Sequence, residues 1–247
     1  MLEAYAERLR PPDCEILIVV NGSSDGTGAM ITSEFLPRFP HLRLIEIPEP
    51  VGKGGALIRG MMEAKGETLA FVDADGSTAP DALLDLVHAL HGDEILVASR
   101  WLPESVIPTP QPLSRRIGSR IFNRTVRLLF GLRLTDTQCG AKAMSRTVAQ
   151  AVLPRIGATQ WAFDVDLLYQ IRRAGFPVRE QPTQWSDVQG TKVHPVLAPL
   201  GMLLAISRLR LLYSPFSALV YLWDRTLGIR LFRRRLARMK TIRGNTA

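Results

Sequence analysis

Short apolar runs alternate with helical patterns through the first hundred residues of the chain. Runs rich in Val, Ile and Leu predict strands at 15–20, 42–47, 68–72 and 94–98. Stop and start signals of Pro and Gly predict helices at 2–9, 27–36, 55–65 and 80–90. This alternation predicts an α/β fold with a mostly parallel sheet flanked by helices. Ligands bind such sheets at the carboxyl ends of strands, so the candidate loops follow Val20, Ile47, Val72 and Ala98.

A proline-rich connection at 103–112 precedes two further predicted helices, at 114–130 and 161–174. The first has one largely apolar face, made of Ile117, Ile121, Thr125, Leu128 and Leu129. Its opposite side carries arginines at positions 116, 120, 124 and 127. A solvated helix face is the plain interpretation of that arginine stripe.

The positive charge of the chain is concentrated at its carboxyl end. The net charge of the 247 residues is +8, and residues 201–247 contain ten Lys and Arg against the single acid Asp224. The same segment is strongly apolar, which favours an anionic membrane surface over nucleic acid as a partner. Its apolar stretches at 193–207 and 211–223 are shorter than the roughly 18 to 20 residues of a membrane span. We therefore expect a globular domain at 1–192 and a basic, amphipathic helical tail at 193–247 that is peripheral or re-entrant on a membrane.

The two cysteines and the amino-terminal sequence indicate the cellular compartment. Cys14 and Cys139 lie in different motifs without metal-ligand spacing, and the amino terminus does not read as a secretory leader. We expect a reducing environment, on the cytoplasmic face of a membrane.

Two carboxylates follow the predicted strand at 68–72. Asp73 and Asp75 are two residues apart, so in an extended segment their side chains point the same way. Such a pair repels unless a cation neutralises it, and Mg²⁺ or Mn²⁺ bound to a diphosphate is the usual occupant. The alternative is a pair that caps the next helix, but Pro80 and Asp81 already supply that helix start.

Two loops of small residues also follow predicted strands and lead into helices. They have the sequences NGSSDGT at 21–27 and GKGG at 52–55. Free backbone N–H groups and the helix dipole favour phosphate at such positions. Neither loop has the Walker A or GxGxxG spacing, which excludes the usual NTPase and dinucleotide classes, and tight turns remain the alternative for each.

Taken in order, the motifs resemble glycosyltransferase family 2 of the GT-A fold, specifically its dolichyl-phosphate β-glucosyltransferase branch. The matching segments are 21–27, GKGGA at 52–56, DADGS at 73–77, Ser99-Arg100, DTQCGAK at 136–142, WAFDVDL at 161–167 and WSDVQGTK at 185–192. The resemblance covers about residues 13–192.

Three departures from the family pattern stand out. The first strand of the family, with its PAYNE motif, is absent, and we expect its loss to expose strand edges and to reflect a truncated or misassigned start. Val20 replaces an Asp that commonly meets the nucleotide base. Ala141 replaces a Phe, which predicts a change in the acceptor pocket.

The resemblance implies inverting transfer of a hexose from a nucleotide diphosphate sugar, with UDP-glucose expected, to a polyprenyl or dolichyl phosphate. Asp73 and Asp75 would act in catalysis through the metal, and Asp164 occupies the position of the family's general base. The predicted donor contacts are Asn21, Asp25, Lys53 and Asp73. The predicted clamp for the acceptor phosphate is Arg100, Arg116, Gln138 and Lys142.

Two other functions stay open at this point. One is a family 2 transferase that acts on a hydroxyl acceptor and needs a true base; the other is a non-catalytic nucleotide-sugar-binding fragment, which the missing strand favours. A phosphate acceptor is already mostly ionised at pH 7, so a base would matter less for it.

Overall fold

The fold alternates helices and strands along most of its length. The computed structural model describes residues 1–10, 14–157, 162–188, 197–218 and 220. The strands are β1 (Ile16–Asn21), β2 (Leu42–Ile47), β3 (Thr68–Phe71), β4 (Ile95–Ser99), β5 (Lys142–Ser145) and β6 (Val178–Pro182). The helices are α1 (Leu2–Arg8), α2 (Thr27–Met30), α3 (Gly52–Glu63), α4 (Pro80–His88), α5 (Leu113–Phe130), α6 (Arg146–Val152), α7 (Phe163–Arg173) and α8 (Leu197–Leu212).

The predicted elements are present with small shifts of their bounds. β2 has the predicted bounds, and β1, β3 and β4 differ from theirs by one residue at one or both ends. The helix predicted at 27–36 is α-helical only through α2 and continues as a π-helical turn at Ile31–Phe35. α5 ends where Gly131 takes the left-handed conformation, with φ of 64°, as its sequence predicts.

The strands form two sheets within the described residues. β1 and β2 pair in parallel, with Ile16 opposite Leu42. The second sheet has the order β3-β5-β4-β6. Its β4–β6 pair is parallel, whereas β5 pairs antiparallel with both β3 and β4. No strand of the described residues joins β1 to β3, so the two sheets are separate.

Both faces of the larger sheet are covered, because β4 sends alternate side chains into two cores. Ile95 and Val97 join the main core with α5, α6, α7 and part of α8. Leu96 and Ala98 join a second core, to which α1 and α4 contribute Tyr5 and Leu86. All four β4 side chains are at most 1% exposed, as expected for a strand covered by helices on both sides. The strand ends that carry the candidate site are therefore fixed to a rigid layer.

α8 contributes to the main core from the predicted tail. Ile206 and Leu209 are buried there, and Arg210 donates to the Leu129 carbonyl of α5 at 2.8 Å. Within the described residues, no helix combines the length and apolar character that a membrane crossing requires. Trp161, the GTK sequence at 190–192, Pro195 and the tail at 219 and 221–247, with its predicted amphipathic helices, lie outside the described residues.

Candidate active site

The loops that follow β1 and β2 are tied together by Asn21. Its side-chain oxygen accepts the backbone N–H of Val51 at 2.8 Å, at the start of α3. Asp25 is exposed and shapes its own loop, accepting the backbone N–H of Thr27 at 3.0 Å and the hydroxyls of Ser23 and Thr27. These hydrogen bonds lower the pKa of Asp25 to about 2. Asn21 and Asp25, two of the four predicted donor-binding residues, thus order the loops that follow β1 and β2.

Lys53 connects the first turn of α3 to the end of β3. Its ammonium lies 2.7 Å from Oδ1 of Asp73 and 3.5 Å from Oδ2 of Asp164. Burial alone would lower the pKa of Lys53, but the attraction of Asp164 and Asp73 outweighs it and raises the pKa to about 12. Lys53 is therefore a permanent positive charge between two predicted catalytic carboxylates.

Asp164, in the first turn of α7, is held between two lysines. The second is Lys142 of β5, whose fully buried ammonium lies 2.6 Å from Oδ1 of Asp164 and 2.7 Å from the Cys139 carbonyl. Burial would raise the pKa of Asp164, but the positive charges of Lys142 and Lys53 outweigh it and lower the pKa. Asp164 is thus ionised and a poor acceptor for a proton.

The carboxylates of Asp73 and Asp75 lie where β3 ends. Asp75 accepts the backbone N–H of Ser77 at 2.9 Å, and Asp73 is 37% exposed. Gly140 packs directly against Asp73: a Cβ at position 140 would lie 2.2 Å from its Oδ2. Only glycine allows this approach, so residue 140 fixes where the carboxylate of Asp73 can be.

A cavity of about 160 Å³ opens beside these carboxylates. Cationic and amide side chains share its lining with them; the charged and amide members are Asp73, Asp75, Arg100, Gln111, Arg115, Gln138 and Asp187. Nε2 of Gln138 is buried and has no hydrogen-bond acceptor among the described residues. The cavity can therefore receive a ligand that carries both a metal-binding diphosphate and further acceptor atoms.

Arg100, which follows β4, is held in position by contacts with Asp136 and Trp185. Its Nε and Nη2 donate to the two carboxylate oxygens of buried Asp136 at 2.7 and 2.9 Å, and its guanidinium lies 5.1 Å from the Trp185 ring centroid. Burial would raise the pKa of Asp136, but Arg100 outweighs it and lowers that pKa. The pairing is bidentate and fixes the orientation of the guanidinium plane.

The structure brings together most of the predicted site residues, in two connected groups. The first group is the ion-pair network of Lys53, Lys142 and Asp164. Asp73 connects it to the second group, because Asp73 pairs with Lys53 and also lines the cavity with Asp75, Arg100 and Gln138. Arg116 lies elsewhere, over the Trp101 ring at 5.9 Å, and Lys142 is enclosed in the core. Ala141 is fully buried in the second core rather than part of the described cavity lining.

Sequence reasoning missed Arg115, which lines the cavity one residue before Arg116. Arg115 also lies 3.7 Å from Asp187, a neighbour of Trp185 in the cavity wall. Asp187 and Trp185 belong to the motif at 185–192, so the sequence could have indicated them as site residues. Arg115 is off the arginine stripe of α5, so periodicity did not single it out.

The fold is shared with solved structures of glucosyl-3-phosphoglycerate synthase from Mycobacterium tuberculosis. Its complex with Mn²⁺, uridine-diphosphate and glucosyl-3-phosphoglycerate has a TM-score of 0.54 at 19% identity, over 81% of this chain and 68% of that one. Its complex with uridine-diphosphate gives a TM-score of 0.54 at 18% identity, over 79% and 67%. The fold is therefore of the GT-A type, and with the motifs it carries it defines a glycosyltransferase.

The sequence model of the family described as Glycosyl transferase family 2 matches residues 1–153. The chain belongs to this family, as its motifs predict.

Relatives in that family include the dolichyl-phosphate β-glucosyltransferases of Dictyostelium discoideum and Drosophila melanogaster. They are 31% and 33% identical, over 81% and 76% of this chain and 63% and 60% of their own lengths. Glycosyltransferase AglD of Haloferax volcanii is 34% identical over 79% of this chain and 31% of its own length. The chain thus spans less than two thirds of each of these relatives. The predicted resemblance to the dolichyl-phosphate β-glucosyltransferase branch is confirmed.

Proposed function

We propose that this glycosyltransferase transfers a hexose, with inversion, from a nucleotide diphosphate sugar to a polyprenyl phosphate at a membrane surface. The observation that carries the proposal is the shared cavity, in which Asp73 and Asp75 face the same space as Arg100, Arg115 and Gln138. A donor diphosphate suits the carboxylates through a divalent cation, and an acceptor phosphate suits the arginines. The names of the relatives support dolichyl phosphate as the acceptor class and glucose as the sugar.

Asp73 and Asp75 fit a hard divalent cation, Mg²⁺ or Mn²⁺, because they supply carboxylate oxygens and Asp73 is partly exposed. Within the described residues, no three His, Cys, Asp or Glu side chains come together as a metal site. The two carboxylates would therefore share the ion with the diphosphate of the donor. When bound, such an ion would offset the negative charge that develops on the leaving diphosphate. Mn²⁺ in the complex of the mycobacterial structure with the same fold is consistent with this choice.

Asp164 acts as a charge that positions Lys53 and Lys142 rather than as a base. Its pKa is lowered by both lysines, which weakens it as a proton acceptor. A phosphate monoester has its second pKa near 6 and reaches the site mostly as a dianion, so the nucleophile needs little help in losing a proton. The site therefore favours a phosphate over a hydroxyl acceptor.

The acceptor phosphate would be held by Arg100, Arg115 and Gln138. Arg100 is oriented by Asp136, and the unpaired Nε2 of Gln138 supplies a further donor. Arg116 and Lys142, predicted from the sequence, would contribute only long-range charge from the positions they take.

The first experiment measures donor binding. Calorimetry with UDP-glucose should give binding in Mn²⁺ and little in EDTA, and Asp75→Ala should abolish it because one of the two carboxylates is lost. Asp85→Ala, on the exposed side of α4, is the matched control and should bind like the wild type. Undiminished binding by Asp75→Ala in the presence of metal would refute the assignment.

The second experiment tests the tail at the membrane. Ile206 and Leu209 pack in the main core, so removing the tail would also disturb the catalytic domain. Neutralising Arg233, Arg234 and Arg235 to Gln in the full chain is therefore the better change. Each basic residue near an anionic surface contributes about 1 kcal/mol, so flotation with anionic vesicles should weaken by roughly 100-fold. Equal flotation of variant and wild type would show that the tail does not act through its charge.

A further inference from the structure

A second groove lies beside α5. Its volume is about 630 Å³, and its lining includes Trp101, Arg120, Asn123, Arg124, Arg127 and Leu128. None of these side chains lines the cavity of the candidate active site. The groove therefore needs an explanation of its own.

The polar side chains that line this groove offer mainly hydrogen-bond donors. Nε1 of Trp101 is buried and has no acceptor among the described residues. Arg120 stacks on the same indole, with its guanidinium carbon 4.9 Å from the ring centroid. Thr135 completes the described lining, and its hydroxyl donates to Glu180 at 2.6 Å. The lining contains no carboxylate among the described residues, so its charge is strongly positive.

Asn123 adds a donor whose orientation is fixed. Its Oδ1 accepts the backbone N–H of Thr137 at 2.9 Å and the hydroxyl of the same residue at 2.6 Å. A backbone N–H can donate only to the oxygen of the carboxamide, so the amide cannot be flipped. The position of Nδ2, the nitrogen of the same carboxamide, is therefore fixed as well. Asn123 is 3% exposed, and its Nδ2 has no acceptor within the described residues. An unsatisfied buried donor of this kind indicates a missing acceptor.

Apolar side chains occupy the outer face of the same helix. Leu128 is 79% exposed, and Ile117 and Ile121 are more than half exposed. The core side of α5 is instead formed by Phe122, Val126 and Phe130. Leu129 of the predicted apolar face packs against the main core, but the exposed Ile117, Ile121 and Leu128 point outward beside the arginines, which is the arrangement of a helix at a membrane interface.

We propose that the groove beside α5 binds the phosphate of an anionic phospholipid headgroup. The arginines and the two unpaired donors suit the phosphate oxygens, and the exposed Leu and Ile suit the acyl region next to it. The site extends the proposed membrane association from the tail to α5. Its test involves no sugar transfer, so its failure is distinguishable from failure of the proposed function.

The experiment compares binding of the full chain to vesicles of phosphatidylcholine with and without phosphatidylglycerol. Arg120→Gln with Arg124→Gln should weaken binding to the anionic vesicles by roughly 30-fold, since each basic residue near the surface contributes about a factor of 5. Trp101→Phe keeps an aromatic ring and removes one neutral donor, and it should weaken binding by about tenfold. Arg59→Gln, which removes an exposed charge on α3, is the matched control and should bind like the wild type.

Inorganic phosphate is the second probe, because a soluble phosphate offers the same oxygens as the headgroup. At constant ionic strength, inorganic phosphate should displace the wild type from the anionic vesicles, because it competes for the same donors. Binding of inorganic phosphate that is lost in the Arg120 and Arg124 variant, while vesicle binding of that variant equals that of the wild type, would overturn the lipid proposal in favour of a soluble anion. Equal vesicle binding by Trp101→Phe and the wild type would overturn the groove as a specific site, because a diffuse positive surface does not sense a neutral donor.

Discussion

The buried ion pair of Asp164 and Lys142 predicts that removing only the carboxylate destabilises the fold. Asp164→Asn would leave the fully buried Lys142 ammonium with the Cys139 carbonyl as its remaining hydrogen-bond acceptor among the described residues. Breaking a buried pair from one side costs about 3–5 kcal/mol. Lys53 adds little to this cost, because it is 40% exposed and keeps Asp73 as a partner.

A double variant separates the charge from the packing. Asp164→Asn combined with Lys142→Met removes both buried charges and keeps an unbranched apolar side chain of similar length. Replacing both members of a buried pair by neutral groups is often close to neutral in stability. The double variant should therefore recover most of the 3–5 kcal/mol, which is about 6–20 °C in melting temperature for a chain of this size.

Urea unfolding followed by far-ultraviolet circular dichroism measures both variants. The m-value should stay unchanged, so that the shift in midpoint reports stability. The reasoning is refuted if Asp164→Asn is within about 0.5 kcal/mol of the wild type, which is the size of an ordinary surface substitution. It is also refuted if the double variant is no more stable than the single one.

Three further predictions concern the site. Asp164→Asn, assayed below its unfolding transition, should lower transfer to a polyprenyl phosphate by less than about 100-fold, since the nucleophile arrives ionised, and a loss of 10³-fold or more would favour a hydroxyl acceptor. Gly140→Ala should weaken Mn²⁺-dependent UDP-glucose binding in calorimetry, because its Cβ would displace Asp73, whereas Gly118→Ala, whose Cβ meets nothing within 4 Å, should bind normally. Folding lowers the pKa of Asp136, so the ionised carboxylate stabilises the fold at pH values above its unfolded pKa near 3.9. This stabilisation is lost as the pH falls through the pKa of the folded state. Asp136→Asn should therefore reduce the loss of stability at acid pH, measured by urea unfolding at a series of pH values.

The elements that the sequence predicted are those with long apolar runs. β1, β2 and β4 are rich in Val, Ile and Leu, β3 has the apolar sequence LAF after Thr68, and each of the four begins or ends near a Gly, Pro or Asp. β5 and β6 were missed because their sequences, KAMS and VREQP, contain few apolar residues. β5 lies between β3 and β4, and its Lys142 is buried as the partner of Asp164. These contacts involve residues distant in the sequence, so no local pattern predicts them.

The candidate site was predictable where it depends on strand ends. Asp73, Asp75 and Arg100 follow β3 and β4, and the shared edge of the sheet brings them to one cavity. The choice between Arg115 and Arg116 could not be made from the sequence. It depends on the rotation of α5 about its axis, which the packing of Phe122 against the main core sets.

α5 contributes arginines to both the active-site cavity and the groove. Arg115 lines the active-site cavity, and Arg120 and Arg124 line the groove, five and nine residues further along the same helix. At 1.5 Å per residue, these positions are about 7.5 and 13.5 Å from Arg115 along the helix axis. If the groove holds a headgroup phosphate, Arg115 lies about 14 Å or less from Arg120 and Arg124 along the same helix. A phosphate at the end of a membrane-embedded polyprenyl chain could then reach the cavity without leaving the membrane interface. α5 would in that case both bind the headgroup and place the cavity within reach of the acceptor phosphate.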